Sequence, residues 1–144
     1  MPPIDLTALR HEFHRMPELG FAEESTKARV ADILEDLGIE THIGAGVVGV
    51  HKRGTGNRVI ALRADMDALP IHETSSHDYA SQTAGVMHAC GHDGHMTMLL
   101  GAAAALAEEA EFDGTVLFIF QPNEEHGLGA QAMIAGGLLE RFPI

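Results

Sequence analysis

The sequence predicts an α/β layer fold with a mixed sheet, and three observations point to it. Two amphipathic helical segments open the chain. Short segments rich in β-branched residues follow, separated by glycine turns. The second half then alternates a buried strand pattern with helical patterns. Alternation of this kind is typical of a sheet covered by helices.

Two helices are predicted at the start of the chain. The first spans residues 5–16, with Asp5 as its N-cap and Pro17 directly after its end. The second spans about 23–37, and Gly38 suits the position after a helix C-terminus. Both have apolar residues at helical spacing, which predicts one buried face on each.

Three strands are predicted next, at 39–43, 47–51 and 58–62. The segment 54–57, Gly-Thr-Gly-Asn, has the composition of a tight turn. We therefore expect 47–62 to form an antiparallel hairpin.

The second half contains a polar loop, two helices and one strand. Residues 71–86 are polar and aperiodic, which predicts the loop, and 97–109 is rich in strong helix formers. The apolar run 115–120 has the length of a buried strand. The last helix is expected over 130–139, loosened by its Gly-Gly pair.

Composition narrows the class of protein. The 144 residues are 45% hydrophobic and 21% charged, and the formal net charge is −12 with histidine neutral. Such acidity argues against nucleic acid or an anionic membrane as partner. A single cysteine excludes an intrachain disulfide, and the N-terminus has no signal-peptide pattern. We expect a cytoplasmic protein without a membrane span.

The densest group of chemically active residues lies between residues 87 and 95. This span holds three histidines, the only cysteine and an aspartate: His88, Cys90, His92, Asp93 and His95. Cys90 and His92 at i, i+2 can present their side chains together. A thiolate, an imidazole and carboxylates suit Zn²⁺, Mn²⁺, Co²⁺ or Ni²⁺.

Two other interpretations of this cluster stay open from the residues alone. Cys90 can be a small buried hydrophobe beside histidines that bond to the next helix. Cys90 and His92 can also form a nucleophilic pair, although neighbours at i, i+2 rarely reach attack geometry.

Carboxylates follow two of the predicted strands. Glu124 and Glu125 come after 115–120, so one can bind metal while the other takes a proton from metal-activated water. A solvated acidic loop is the alternative. Asp65 and Asp67 follow 58–62, and either can orient a histidine or cap a turn.

Three segments resemble the signatures of the M20 metallopeptidase family: 63–70, 88–95 and 120–125. The match is to its aminoacylase-like branch, which includes hippurate hydrolase, N-acyl-amino-acid hydrolases and indole-acetyl-amino-acid hydrolases. Residues 11–19 also fit the usual opening of that branch.

The resemblance implies a metal-dependent amidohydrolase with two divalent ions (Zn, Mn, Ni or Co) that cleaves N-acyl amino acids. Cys90 would be a ligand that bridges the ions, His92 and Glu125 would be ligands, and Glu124 would be the general base. Arg63 stands where other branches have histidine. The residues expected to support the ligands are Asp65, Asp67, His88, Asp93 and His95.

The resemblance also implies a three-layer α/β/α fold with a mixed sheet, of which residues 1–144 are the incomplete N-terminal part of a zinc-peptidase-like catalytic domain. Members of the family are more than twice as long and add two histidine ligands and a lid and dimerisation domain. A homo-oligomer is expected for the full-length enzyme. The alternative function is a metal-binding fragment without turnover.

Two positions depart from the family pattern. Asn123 stands where alanine is usual, and His126 stands where glycine is usual. His126 places an imidazole beside the expected base, where it can change access to the metals or compete for one of them.

Overall fold

The computed structural model describes residues 3–108 and 111–144. The helices and strands of these residues are, in chain order, α1 Leu6–Arg15, α2 Glu24–Asp36, β1 Glu40–Ile43, β2 Val47–Arg53, β3 Val59–Asp65, α3 His92–Glu108, β4 Gly114–Gln121, α4 Gly129–Ala135 and α5 Leu138–Arg141.

The strands form one mixed sheet in the order β1-β2-β4-β3. β1 and β4 both pair with β2 in the antiparallel sense, and β3 pairs with β4 in the parallel sense. The hairpin predicted for 47–62 is therefore wrong, because β4 lies between its two strands. β4 is almost fully buried, and an apolar strand of this kind takes the centre of a sheet.

Hydrogen bonds attach the connection between β2 and β3 to the residue before β4. Asp113 precedes β4, and its Oδ1 accepts from the backbone N–H of Thr55 at 2.8 Å and of Gly56 at 2.6 Å. The segment predicted as a tight turn is thus tied to the start of β4, instead of joining two adjacent strands.

Helices cover both faces of the sheet, which confirms the three-layer α/β/α arrangement. On β4, Val116, Phe118 and Phe120 face the larger core, which α1, α2 and α3 complete. Leu117 and Ile119 point to the opposite face, where a smaller cluster includes Met133 of α4. Alternation along one strand therefore supplies both cores.

Two helix boundaries differ from the prediction. α3 begins at His92, five residues before the expected start at 97, because Gly91 adopts a φ of +84° and its carbonyl accepts from the N–H groups of Gly94 and His95. The expected end at 109 lies outside the described residues. The expected helix 130–139 is divided into α4 and α5, with Gly137 at a φ of +92°.

The termini of three elements meet at one edge of the sheet. Asp65, the last residue of β3, pairs with Gln121, the last residue of β4, and the Met66 N–H donates to the Gln121 carbonyl at 3.0 Å. The first turn of α3 lies over this edge. No helix among residues 3–108 and 111–144 has the length and apolar character needed to cross a bilayer.

Candidate metal centre

Two groups of potential ligand atoms lie at this edge, and both include His92. Cys90, His92 and Glu125 have ligand atoms within 4.8 Å of one another. So do Asp65, His92 and His95. Segments distant in sequence, at the end of β3, around the start of α3 and after β4, therefore converge on one imidazole.

Asp67 fixes the orientation of His92. Nδ1 of His92 lies 2.8 Å from the Asp67 carbonyl oxygen and 3.2 Å from Asp67 Oδ1. Because a carbonyl can only accept, Nδ1 carries the donated proton. Nε2 is then directed at three carboxylates, 3.4 Å from Asp65 Oδ2, 3.6 Å from Glu125 Oε1 and 3.7 Å from Glu124 Oε2.

The surrounding carboxylates give His92 a raised pKa. Burial would lower the pKa of this imidazole, but the hydrogen bond to Asp67 and the charge of Asp65 outweigh burial. The same negative field favours any cation at Nε2, a metal ion as well as a proton.

Asp67 also holds the loop that carries Glu125. It is 1% exposed, and its Oδ2 accepts from the Glu125 backbone N–H at 3.0 Å. Burial would raise the pKa of Asp67, but the bonds from His92 and from the backbone N–H groups of Glu125 and Glu124 lower it. This carboxylate is therefore ionised at neutral pH, and it connects two of the candidate ligands.

The adjacent glutamates occupy different environments. The side chain of Glu125 is 20% exposed, and its Oε1 is buried with no hydrogen-bond partner among the described residues. The side chain of Glu124 is 41% exposed. Glu125 thus faces inward toward His92 and Cys90, while Glu124 has access to solvent.

Cys90 is exposed and lies beside Glu125. Its interaction with Glu125, together with burial and the charge of Glu124, raises the pKa of the Cys90 thiol. A thiolate here therefore needs a compensating cation. A buried carboxylate oxygen without a partner, an oriented imidazole nitrogen and a thiol form a donor set that fits a divalent transition ion.

Asp65 and His95 form the outer part of the centre. Oδ1 of Asp65 lies 2.7 Å from Nδ1 of His95, and Oδ2 accepts from Arg63 Nη1 at 3.1 Å. His92 and His95 share a helix face at i, i+3, a relation that the late predicted helix start concealed. Asp65 and His95 are expected from the sequence to support the ligands. Their placement beside His92 also makes them candidate ligands.

The other two residues of the cluster, Asp93 and His88, belong to neither ligand group. Asp93 is fully buried, and its Oδ2 lies 2.8 Å from His14 Nδ1 and 3.2 Å from Arg10 Nε, both on α1. His88 is 4% exposed, and burial, partly offset by Asp93, lowers its pKa to about 4. The sequence does not predict this role of His14, because no local pattern indicates that His14 on α1 contacts a residue of α3.

The two departures from the family pattern contact each other. Asn123 adopts a φ of +44°, and its Oδ1 accepts from His126 Nδ1 at 2.8 Å. A Cβ at position 20 would overlap that amide oxygen, so Gly20 makes room for Asn123. His126 belongs to neither ligand group of the described residues.

Similarity to known proteins also points to a metal-binding peptidase domain. Residues 61–144 match the model of peptidase family M20/M25/M40. The chain is 51% identical over 137 residues to hippurate hydrolase of Campylobacter jejuni subsp. jejuni, covering 93% of this chain and 36% of that protein. It is 46% identical over 138 residues to IAA-amino acid hydrolase ILR1-like 5 of Arabidopsis thaliana, covering 94% and 32%.

A solved structure shares the fold. The Bacillus subtilis YXEP protein, described as a dinuclear metal-binding peptidase from the M20 family, superposes with a TM-score of 0.86 at 42% identity, covering 93% of this chain and 39% of that one.

Fold and site together define an α/β domain with a candidate metal centre at one edge of its sheet. The chain belongs to peptidase family M20/M25/M40. It spans about a third of the length of the curated relatives that it matches.

Proposed function

We propose that this chain supplies the metal-binding part of a metal-dependent amidohydrolase that cleaves the amide bond of N-acyl amino acids such as hippurate. The observation that carries the proposal is the convergence of Cys90, His92 and Glu125, with Glu124 at the solvent side. The hydrolase names of the relatives support the reaction class.

The ligand roles follow from the donor atoms. Cys90, His92 and Glu125 would hold the divalent ions, and Asp67 orients His92. Two ions are proposed because the Bacillus subtilis relative is described as dinuclear. Ions in such a site polarise the amide carbonyl and lower the pKa of water toward ~7.

Glu124 is the proposed general base. Its carboxylate is 3.7 Å from His92 Nε2 and 41% exposed, so a water molecule and a substrate can both reach it. It accepts a proton from the attacking water and delivers it to the leaving amine. Asp67 is unsuited to this role because His92 and backbone N–H groups already use its oxygens.

A second candidate is metal binding without turnover by these residues alone. It is favoured by the fraction of the relatives that the chain spans, 36% of hippurate hydrolase. We propose that residues 1–144 are the N-terminal part of the catalytic domain, so further ligands would come from the remainder of such a domain.

An assay of the purified chain separates the two candidates. Hippurate is incubated with chain loaded with Mn²⁺ or Zn²⁺, and released glycine is measured beside metal content. Glycine release that disappears in Glu124→Gln supports the amidohydrolase, and bound metal without glycine release supports the second candidate. Glu140→Gln on α5, an exposed glutamate outside the centre, is the matched control. A chain that binds no metal contradicts both.

A further inference from the structure

We propose that His14 is a positioning residue for the metal ligand His92, acting through a buried ionic chain that joins α1, α3 and the loop 71–86. The inference rests on the proposed metal centre and concerns a residue outside it. No atom of His14 belongs to either ligand group.

His14 contacts two carboxylates, and all three side chains are buried. Nδ1 of His14 lies 2.8 Å from Asp93 Oδ2, and its Nε2 lies 2.7 Å from Glu73 Oε1. The three side chains are 6%, 1% and 4% exposed. On the solvent side, Nε of Arg10 lies 3.2 Å from Asp93 Oδ2, and the Arg10 side chain is 43% exposed.

Both ring nitrogens of His14 face carboxylate oxygens, Asp93 Oδ2 and Glu73 Oε1. An ionised carboxylate can only accept a hydrogen bond, so these two contacts call for a donor at each nitrogen. Glu73 is suited to that partnership: burial would raise its pKa, but bonds from Ser75, the Ser81 N–H and His14 lower it. His14 thus lies between two buried carboxylates that belong to different segments, α3 and the loop 71–86.

The link reaches the metal centre through the first turn of α3. Asp93 directly follows His92, and Thr97 Oγ1 donates to the Asp93 carbonyl at 2.7 Å. Anchoring Asp93 on one side of the helix fixes the rotation of the turn that projects His92 on another side. His92 is thus held by Asp67 from the sheet and, through Asp93, by His14 from α1.

The same residue fastens the loop 71–86. Beyond the Glu73 contact, Tyr79 stacks on His11 with ring centroids 3.7 Å apart, and the Gln82 N–H donates to the Arg15 carbonyl at 2.9 Å. The loop leads into Cys90, so its attachment to α1 constrains the approach of that ligand as well.

Cobalt titration of the 144-residue chain tests the proposal, with the thiolate-to-cobalt absorption band as the signal. His14→Gln keeps a polar side chain but loses the ring that contacts both carboxylates, and we expect its cobalt dissociation constant to rise about tenfold, as for residues that orient metal ligands. His42→Gln, the same substitution on strand β1, away from α1 and the loop 71–86, is the matched control and leaves that constant unchanged. Thermal unfolding of both metal-free variants measures any general loss of stability.

The outcomes separate the proposal from the site on which it rests. An unchanged constant in His14→Gln overturns the positioning role and leaves the centre intact. Absence of the band in the unsubstituted chain overturns the centre and the proposal together. If His14→Gln fails to fold, ¹⁵N NMR of the unsubstituted chain decides: two protonated ring nitrogens on His14 support the proposal, and a neutral tautomer overturns it.

Discussion

The two sides of the first turn of α3 carry similar chemical groups and balance their charge differently. Toward α1, Asp93 is matched by His14 and Arg10. Toward the sheet, four carboxylates surround His92: Asp65, Asp67, Glu124 and Glu125. Arg63 pairs with one of them, Asp65. On the α1 side the negative charge has basic partners. On the side of the sheet, where a cation is proposed to bind, negative charge is in excess.

The largest expected effect is on the side with excess negative charge. His92→Ala removes the imidazole shared by both ligand groups, so we expect a purified chain without stoichiometric metal. Elemental analysis after gel filtration measures the metal content. His42→Ala, on the distant strand β1, is the control and should keep its metal; an equal content in the two variants would show that the ion binds elsewhere.

Metal binding should stabilise only a chain with an intact ligand set. An ion at one hundred times its dissociation constant adds about 2.7 kcal/mol to the free energy of unfolding, because it binds only the folded chain. Calorimetry with and without Zn²⁺ measures this increment. In Cys90→Ala the increment should be lost, and retention of the full increment would contradict a thiolate ligand.

Asp67→Asn tests the support beneath the ligands. The amide still accepts from His92 but lacks the charge, and we expect metal affinity to fall about 10-fold to 100-fold. Isothermal titration calorimetry gives the affinity. Asp78→Asn, in the loop 71–86, is the control, and the comparison fails if both variants bind alike.

The smallest expected effect is on the pH dependence of stability, through Glu73 on the α1 side of the first turn of α3. The pKa of Glu73 is lower in the folded chain than the ordinary value of 4.5, so its contribution to stability is complete above 4.5 and is lost as pH falls through the folded-state value. Glu73→Gln should therefore lower stability at neutral pH and flatten the decline below 4.5. Urea unfolding at several pH values measures this, and a parallel decline in both chains would contradict it.

Local patterns in the sequence predicted most of the elements but not their partners. The run at 115–120 predicted a buried strand, yet nothing local shows that it inserts between β2 and β3. The predicted start of α3, residue 97, is later than the observed start at His92. Gly94 lowers helix propensity, and a glycine such as Gly91 is common in loops. Tertiary contacts decided both features.

In the candidate metal centre, too, some contacts are predictable from the sequence and others depend on tertiary packing. Spacing alone grouped Cys90 with His92 and pointed to the glutamates after β4, and the structure brings these residues together. The Asp65–His95 contact and the His14 link join residues 30 and 79 positions apart. Only the packing of α1 and β3 against α3 creates them.

X-ray absorption of the zinc-loaded chain tests the central claim most directly. The account predicts one sulfur neighbour at about 2.3 Å, from Cys90, together with nitrogen and oxygen neighbours at about 2.0–2.2 Å. In Cys90→Ser the sulfur shell should disappear while the lighter shell remains. A zinc ion with only nitrogen and oxygen neighbours in the unsubstituted chain would contradict the assignment.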